Sequence, residues 1–372
     1  MTTTAEDSDL LQQAFRDALS QLSSSADVRR AMATERGYED RVWRRLAGEI
    51  ALPGLALPEK LGGGGLTETE LAIAFEEAGA SLLCAPLFAT AGLAVPLLTA
   101  LGDAAALARF GPAIAAGELT ATVALAEASG RWRTETVACR AEAAAGGGWL
   151  LDGAKSYVVD GATAGLILVV ARVGAELGVF AVPGDAPGLE RAPLVTLDQT
   201  RRQARLVLRA TPAERVGGDV AAALARATAT SRALLAAEQV GGAQRCLDMT
   251  VDYAKSRIQF GRPIGGFQAV KQRLAEMLVQ VETARSAARA AADAVAADAA
   301  ELEHVAAIAS LTCGDAYKWV AAQTIQLHGG MGFTWEHDAH LYFKRARASA
   351  LLLGTASELT DLLAQQLAAM VQ

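Results

Sequence analysis

Two stretches in the last third of the sequence carry side chains suited to holding a dinucleotide. The first is Arg257-Ile258-Gln259-Phe260-Gly261-Arg262-Pro263-Ile264 followed by Phe267-Gln268, in which the Arg257 guanidinium can bridge two pyrophosphate oxygens. The second is Gln326-Leu327-His328-Gly329-Gly330-Met331-Gly332-Phe333-Thr334, where paired glycines let the backbone come close to a phosphate or an adenine. By residue type alone, Arg257 also fits a surface ion pair and the glycine pair a helix terminus. Other clusters carry less. Glu336-His337-Asp338-Ala339-His340 has ligand-type side chains but no second cluster to complete a coordination shell, so no metal is expected and a loop or interface role is preferred. Four histidines and no Gly-x-Ser-x-Gly elbow leave a hydrolase triad without support.

The elements that must position these residues are mostly helices. A chain of 372 residues exceeds one ordinary core, and 52% hydrophobic with only 5% aromatic residues favours closely packed, alanine-rich helices. The expected fold class is α+β, mainly α. An N-terminal helical domain spans 1–118, a middle β-barrel or sandwich domain 119–217 and a C-terminal four-helix bundle 218–372. Within the middle stretch, Trp149-Leu151, Leu166-Ala171, Gly178-Val182 and Ala204-Leu208 read as strands. Beyond it, Val270, Leu274, Met277, Leu278 and Val281 follow the spacing of a buried helix face. The Pro58-Glu59-Lys60-Leu61 stretch with glycines 62–65 reads as a tight connection between helix groups.

A net charge of -7 with scattered Lys and Arg gives no basic stripe, so no nucleic-acid partner is expected. Cys84, Cys139, Cys246 and Cys313 lie far apart, which fits a reducing cytoplasm better than a disulfide framework. Met1–Leu11 is polar and acidic and does not read as a targeting segment. Ala80–Gly102 has no charge over 23 residues, but Pro86 and Pro96 interrupt it, and short buried helices are expected there rather than a membrane span.

Taken together, the Arg257–Gln268 and Gln326–Thr334 stretches closely resemble the acyl-CoA dehydrogenase family. Pro58-Glu59 with its glycine run, the helix–β–helix order and Gly153-Ala154-Lys155-Ser156-Tyr157 also have counterparts there. The resemblance implies FAD as cofactor and an acyl-CoA thioester as substrate. It also implies an oligomer in which one subunit reaches the diphosphate and adenine of its neighbour's FAD. By that analogy Arg257, Gln259, Phe260, Gln268, Gln326, Gly329 and Gly330 are cofactor contacts, Tyr157 packs at the flavin ring, His328 packs on the adenine side, and Arg232 lies near the acyl pocket.

The departures from the family are uneven. The family's catalytic glutamate precedes a Gly-Thr pair, and this chain reads Leu351-Leu352-Leu353-Gly354-Thr355, with Leu353 in that place. At the alternative base position stands Ser231, and Glu238, seven residues further along the helix, is the remaining carboxylate. The family's Thr-Glu-Pro segment is here Ala126-Glu127-Ala128, and its Trp-Ile-Thr run is Tyr157-Val158-Val159. Elements lent to a neighbour's FAD are kept while those facing substrate are altered. The expectation is therefore a heteromeric acyl-CoA dehydrogenase whose base comes from a second chain. A homo-oligomer using Glu238 and a non-catalytic scaffold are the alternatives. Neither the acyl group nor the electron acceptor is legible.

Overall fold

The computed structural model describes residues 5–371; the first four residues of the N-terminal stretch read above lie outside the described residues. Its helices are α1 (Ala5–Leu22), α2 (Ser25–Ala33), α3 (Asp40–Ile50), α4 (Glu68–Ala80), α5 (Val95–Leu101), α6 (Ala104–Ala115), α7 (Val220–Ser256), α8 (Gln268–Ala296), α9 (Leu302–His328), α10 (Ala339–Ser349) and α11 (Ala356–Val371). The strands are β1 (Ala121–Ala124), β2 (Arg140–Ala143), β3 (Trp149–Val159), β4 (Leu166–Val173), β5 (Glu176–Pro183), β6 (Leu189–Pro193) and β7 (Gln203–Val216), with a small hairpin of β8 (Ile258–Gln259) and β9 (Arg262–Pro263). The chain divides into two compact units: one of residues 1–29, 68–83 and 232–372, the other of residues 30–67 and 84–231.

The first unit is helical. On α8 the buried residues Met277, Val281, Ala284, Ala288, Ala291 and Val295 recur at alternating spacings of four and three, the seam of a helix pressed along its length against another. Burying Met277 and Val281 alone contributes roughly 1.5–3 kcal/mol each. Leu278, expected on that face, is half exposed instead, because one residue step turns it about 100° off the seam. Two glycines set how closely α4 and α7 cross. A Cβ on Gly79 would lie 1.9 Å from the Glu238 carbonyl oxygen, and one on Gly241 would lie 1.7 Å from that of Glu76.

The second unit is built on a sheet that closes on itself. Strands β4, β2, β3, β7 and β5 pair in a ring through the β4–β5 ladder, β1 adds in parallel to β4, and β6 pairs with β7. All four strands read from the sequence are present and longer than expected. β1, β2 and β6 were not expected, because strands of only four or five residues leave little pattern to read. Inside sit Leu151, Ile167, Val169, Ala171, Phe180, Val182, Ala204 and Leu206, each 0% exposed. The uncharged stretch becomes a buried π-helix, Phe88–Ala94, running into α5. Among the described residues no helix is long and apolar enough to cross a membrane.

Candidate functional site

Helix α7 ends at Ser256, and the chain turns at once into the β8–β9 hairpin. Phe260 and Gly261 form its tip with φ of 51° and 74°, the left-handed pair that a two-residue hairpin turn requires. The hairpin is closed by Ile264 N–H donating to the Arg257 carbonyl at 2.8 Å. Phe267 anchors its base, with the Arg262 guanidinium over its ring at 4.1 Å and the Phe260 ring edge-on at 6.1 Å. Phe267 also opens α8: its carbonyl accepts from the Val270 and Lys271 N–H groups, so Gln268 begins the helix beside the hairpin.

The second motif is brought alongside by Tyr253, one turn before Arg257. Its ring stacks on His328 with centroids 4.4 Å apart, and its hydroxyl donates to the His328 carbonyl at 3.4 Å. The His328 ring is buried and its Nδ1 is 2.7 Å from the Thr324 carbonyl, so it is fixed as a donor there. Burial lowers its pKa, partly offset by that bond, which keeps the ring neutral and structural. Directly after it, Gly329 adopts φ 60° and ψ -140°, a region closed to side-chain-bearing residues.

Gly330 carries a different message. A Cβ there would meet nothing within 4 Å, so nothing in the chain's own packing calls for glycine. Its backbone is open to approach from outside the chain. Arg257, Gln259, Phe260, Gln268, Gln326, Gly329 and Gly330 are all exposed. Phe260 at 91%, Phe333 at 84% and Trp335 at 71% add large apolar surface to the same two segments. Arg29 fixes the Trp335 loop from α2, donating to the Trp335 carbonyl at 2.6 Å and pairing with Asp338 at 2.7 Å. A guanidinium, three amides, stackable rings and bare backbone suit a phosphate-bearing, aromatic ligand such as a flavin nucleotide.

The turn after α10 lies in the same unit. Leu353 is buried and left-handed, with φ 61°, and Gly354 follows at φ 124°. Arg232 pins it: Nε and Nη2 donate to the Leu353 carbonyl at 3.1 and 2.8 Å. Burial brings the Arg232 guanidinium down to about 10, with Glu303 and Glu358 pulling the other way. Thr355 and Glu358 cap α11 reciprocally, the Thr355 N–H reaching the carboxylate at 2.9 Å. Two of Arg232's donors thus serve the turn. Ser231, one residue before it, is buried on α7.

Glu238 is also buried, and its carboxylate accepts from Arg345 Nη1 at 2.8 Å, with both side chains at or below 5% exposure. Removing a proton from substrate would neutralise the charge that Arg345 faces in the core, which runs against such a pair's stability. Arg345 is 107 residues away, and no local pattern announced it. Tyr253, by contrast, had a signal, an aromatic one helical turn before the key arginine.

In the second unit, Tyr157 sits on a bulge in β3, left-handed at φ 58° and 47% exposed. Val159 is buried and offers only methyl groups. Among the described residues no group of three or more His, Cys, Asp or Glu is placed to hold a metal ion.

With this geometry in hand, comparison with known proteins is decisive. Residues 5–118 match the model for the acyl-CoA dehydrogenase N-terminal domain and residues 221–368 that for the C-terminal domain. The chain belongs to the acyl-CoA dehydrogenase family. It is 38% identical over 359 residues to acyl-CoA dehydrogenase IpdE2 of Mycobacterium tuberculosis, covering 96% of each chain. Among solved structures, a variant of the Tcur3481-Tcur3483 steroid acyl-CoA dehydrogenase is similar with a TM-score of 0.88 and 32% identity, over 98% of this chain and 99% of that one. A chain of the ChsE4-ChsE5 complex from Mycobacterium tuberculosis is similar with a TM-score of 0.89 and 29% identity, over 99% of both. The family is one of FAD-dependent oxidoreductases acting on acyl-CoA thioesters.

Proposed function

We propose that this chain is one subunit of a heteromeric acyl-CoA dehydrogenase that completes the FAD site of a partner subunit and relies on that partner for the catalytic base. When bound, FAD supplies the acceptor for the hydride that leaves the β carbon. This chain's part is to bind and orient. Arg257 engages the diphosphate, Gln259, Gln268 and Gln326 offer amides to it and to the adenosine, Phe260 packs at its edge, and Gly329 and Gly330 give the backbone room. The observation that carries the reading is a contrast within one helical unit. The residues assigned to the dinucleotide are exposed, with open space beside Gly329 and Gly330, while the family's base position is filled by a buried leucine whose carbonyl Arg232 ties down.

Leucine accepts no proton, and Glu238 is held by Arg345, so removal of the proton next to the thioester carbonyl falls to another chain. A solved relative named as a two-protein complex, and another named as a steroid acyl-CoA dehydrogenase, support a heteromer acting on a bulky polycyclic thioester. Four buried free cysteines fit a cytoplasmic setting.

Co-expression with a second acyl-CoA-dehydrogenase-like chain tests this. The flavin-to-protein ratio and turnover on a panel of linear and polycyclic thioesters are measured for each chain alone and for the pair. Flavin and activity that appear only in the pair are expected; full flavin and turnover from this chain alone would sink the proposal.

A further inference from the structure

The segment joining β1 to β2, residues 125–139, contains one short 3-10 turn and no strand, yet a buried lysine and a half-buried arginine hold it in one shape. The Lys155 ammonium, 0% exposed, donates to the Leu125 carbonyl at 3.0 Å and to Glu127 Oε1 at 2.9 Å. Glu127 passes the restraint on, accepting from the Ala138 N–H at 3.0 Å and the Cys139 N–H at 2.9 Å, so the start of the segment is stapled to its end. Arg172 of β4 closes the other side, with Nε donating to the Val137 carbonyl at 2.6 Å and Nη2 to that of Thr134 at 3.4 Å. Trp132 Nε1 reaches Thr228 Oγ1 at 3.1 Å. Strand connections of ordinary length need no such restraint, and removing an ammonium from water is costly unless something is gained by it.

What the segment supports is the seat of one ring. The Glu127 carbonyl accepts from the Gly130 N–H at 2.9 Å, closing a turn that ends with Gly130 at φ 71°. A Cβ on Gly130 would be 3.2 Å from Tyr157 Cε2, so this turn lies against the Tyr157 ring. The Ala126 carbonyl meanwhile accepts from the Ser156 N–H at 2.9 Å, holding the backbone next to the left-handed Tyr157.

We infer that Lys155, through Glu127, and Arg172 are positioning residues that preset the 126–138 segment, so that Tyr157 is offered to a flavin ring in one orientation before the ligand arrives. This rests on the FAD-dependent reading proposed above and on Tyr157 being a flavin contact, as the family resemblance implies. Burial lowers the Lys155 pKa, opposed by Cys139 and Glu127, as expected for a cation kept in place by a single carboxylate.

The experiment uses the co-purified complex and the near-isosteric Glu127→Gln, with Lys155→Met, Lys155→Arg and Tyr157→Ala beside it. Amide exchange is read at Ala138 and Cys139, with β4 and β5 as internal controls, and bound-flavin absorption and fluorescence are read on the same samples. In E127Q and K155M the two amides should exchange roughly tenfold faster or more while the β4 and β5 amides hold, since a hydrogen bond to a charged acceptor is lost. Flavin fluorescence should rise at least about twofold as the quenching ring loses its seat, and K155R should recover part of both effects. Unchanged amides, or loosened amides beside a flavin spectrum identical to wild type, overturn the inference. If K155M disturbs β4 and β5 as well, E127Q decides alone. Tyr157→Ala separates the two levels: no spectral change there refutes the flavin contact itself, whereas a change there with silent clamp variants refutes only the positioning role.

Discussion

Gly330 offers the sharpest perturbation, because its fold-level and ligand-level consequences point in opposite directions. A Cβ at this position meets nothing of its own chain within 4 Å, and the backbone there is not in the left-handed region. Gly330→Ala should therefore leave folding intact or improve it by about 0.4–1 kcal/mol, through the entropy lost from the unfolded chain. For a chain of this length that is a rise in Tm of roughly 1–3 °C. If a dinucleotide lies against the backbone, the same methyl must displace it or be displaced. The cost of such overpacking is about 1–3 kcal/mol, roughly 5- to 150-fold in affinity. Gly329→Ala, one residue earlier, should behave differently, losing about 1–3 kcal/mol of stability because its φ of 60° with ψ -140° excludes a side chain. The assay pairs thermal unfolding of this chain with FAD titration of the co-purified complex. A G330A complex that binds FAD as tightly as wild type would show that nothing approaches this backbone, and the dinucleotide assignment would fail with it.

Further outcomes follow from named contacts. Arg257→Gln removes a charge-assisted contact worth about 1.5–3 kcal/mol, so the flavin-to-protein ratio of the complex at limiting FAD should fall, equivalent to roughly 10- to 150-fold in affinity, with unfolding unchanged. Glu238→Gln breaks the buried pair with Arg345 and should cost about 3–5 kcal/mol in denaturant unfolding. At a temperature where that variant stays folded, turnover of the complex should change less than about tenfold; a loss of 10²-fold or more would mark Glu238 as the base after all. Gly241→Ala drives a Cβ to 1.7 Å from the Glu76 carbonyl oxygen, a backbone atom that cannot swing away. A loss of at least about 1–3 kcal/mol is expected, and an unchanged Tm would mean that α4 and α7 are free to separate.

What was legible in the sequence was local. The Arg257 and Gln326 stretches are short runs whose residue types suggest a dinucleotide contact, and the hairpin and helix end that carry them are fixed by Phe260-Gly261 and Gly329, each within a few residues of the motif. The middle strands were legible where a β-rich apolar run marked them, as in Leu166–Val173, and not in Arg140–Ala143, whose pattern is mostly exposed. The helix face running from Val270 to Val281 was legible only to within a residue, Met277 and Val281 being buried and Leu278 exposed. Long-range pairings were silent. Nothing near Glu238 names Arg345, and nothing near Lys155 names Glu127, because a buried charge finds its partner through the fold and not through spacing. Arg232 shows the intermediate case: its burial follows from its helix, but its use as a double donor to the Leu353 carbonyl does not.

That last contact bears on why the turn accepts leucine at position 353. The Leu353 turn is held by its backbone: Arg232 grips the carbonyl, Gly354 supplies φ 124°, and the Thr355–Glu358 cap starts the next helix. None of these restraints uses the side chain at position 353. A carboxylate there would have to be buried, at a cost of several kcal/mol unless a substrate or partner met it, whereas leucine at 3% exposure gains about 1.5–3 kcal/mol from burial. Once a partner supplies the base, substitution at this position is therefore favoured by folding and opposed by nothing in the turn. The dinucleotide face stands under the opposite pressure. Gly330 meets nothing of its own chain within 4 Å, and Phe260, 91% exposed, is an aggregation liability unless another surface covers it. Under the proposed heteromer, the first pressure is met by the partner's base and the second by the partner's surface, so both features are expected to occur in one helical unit.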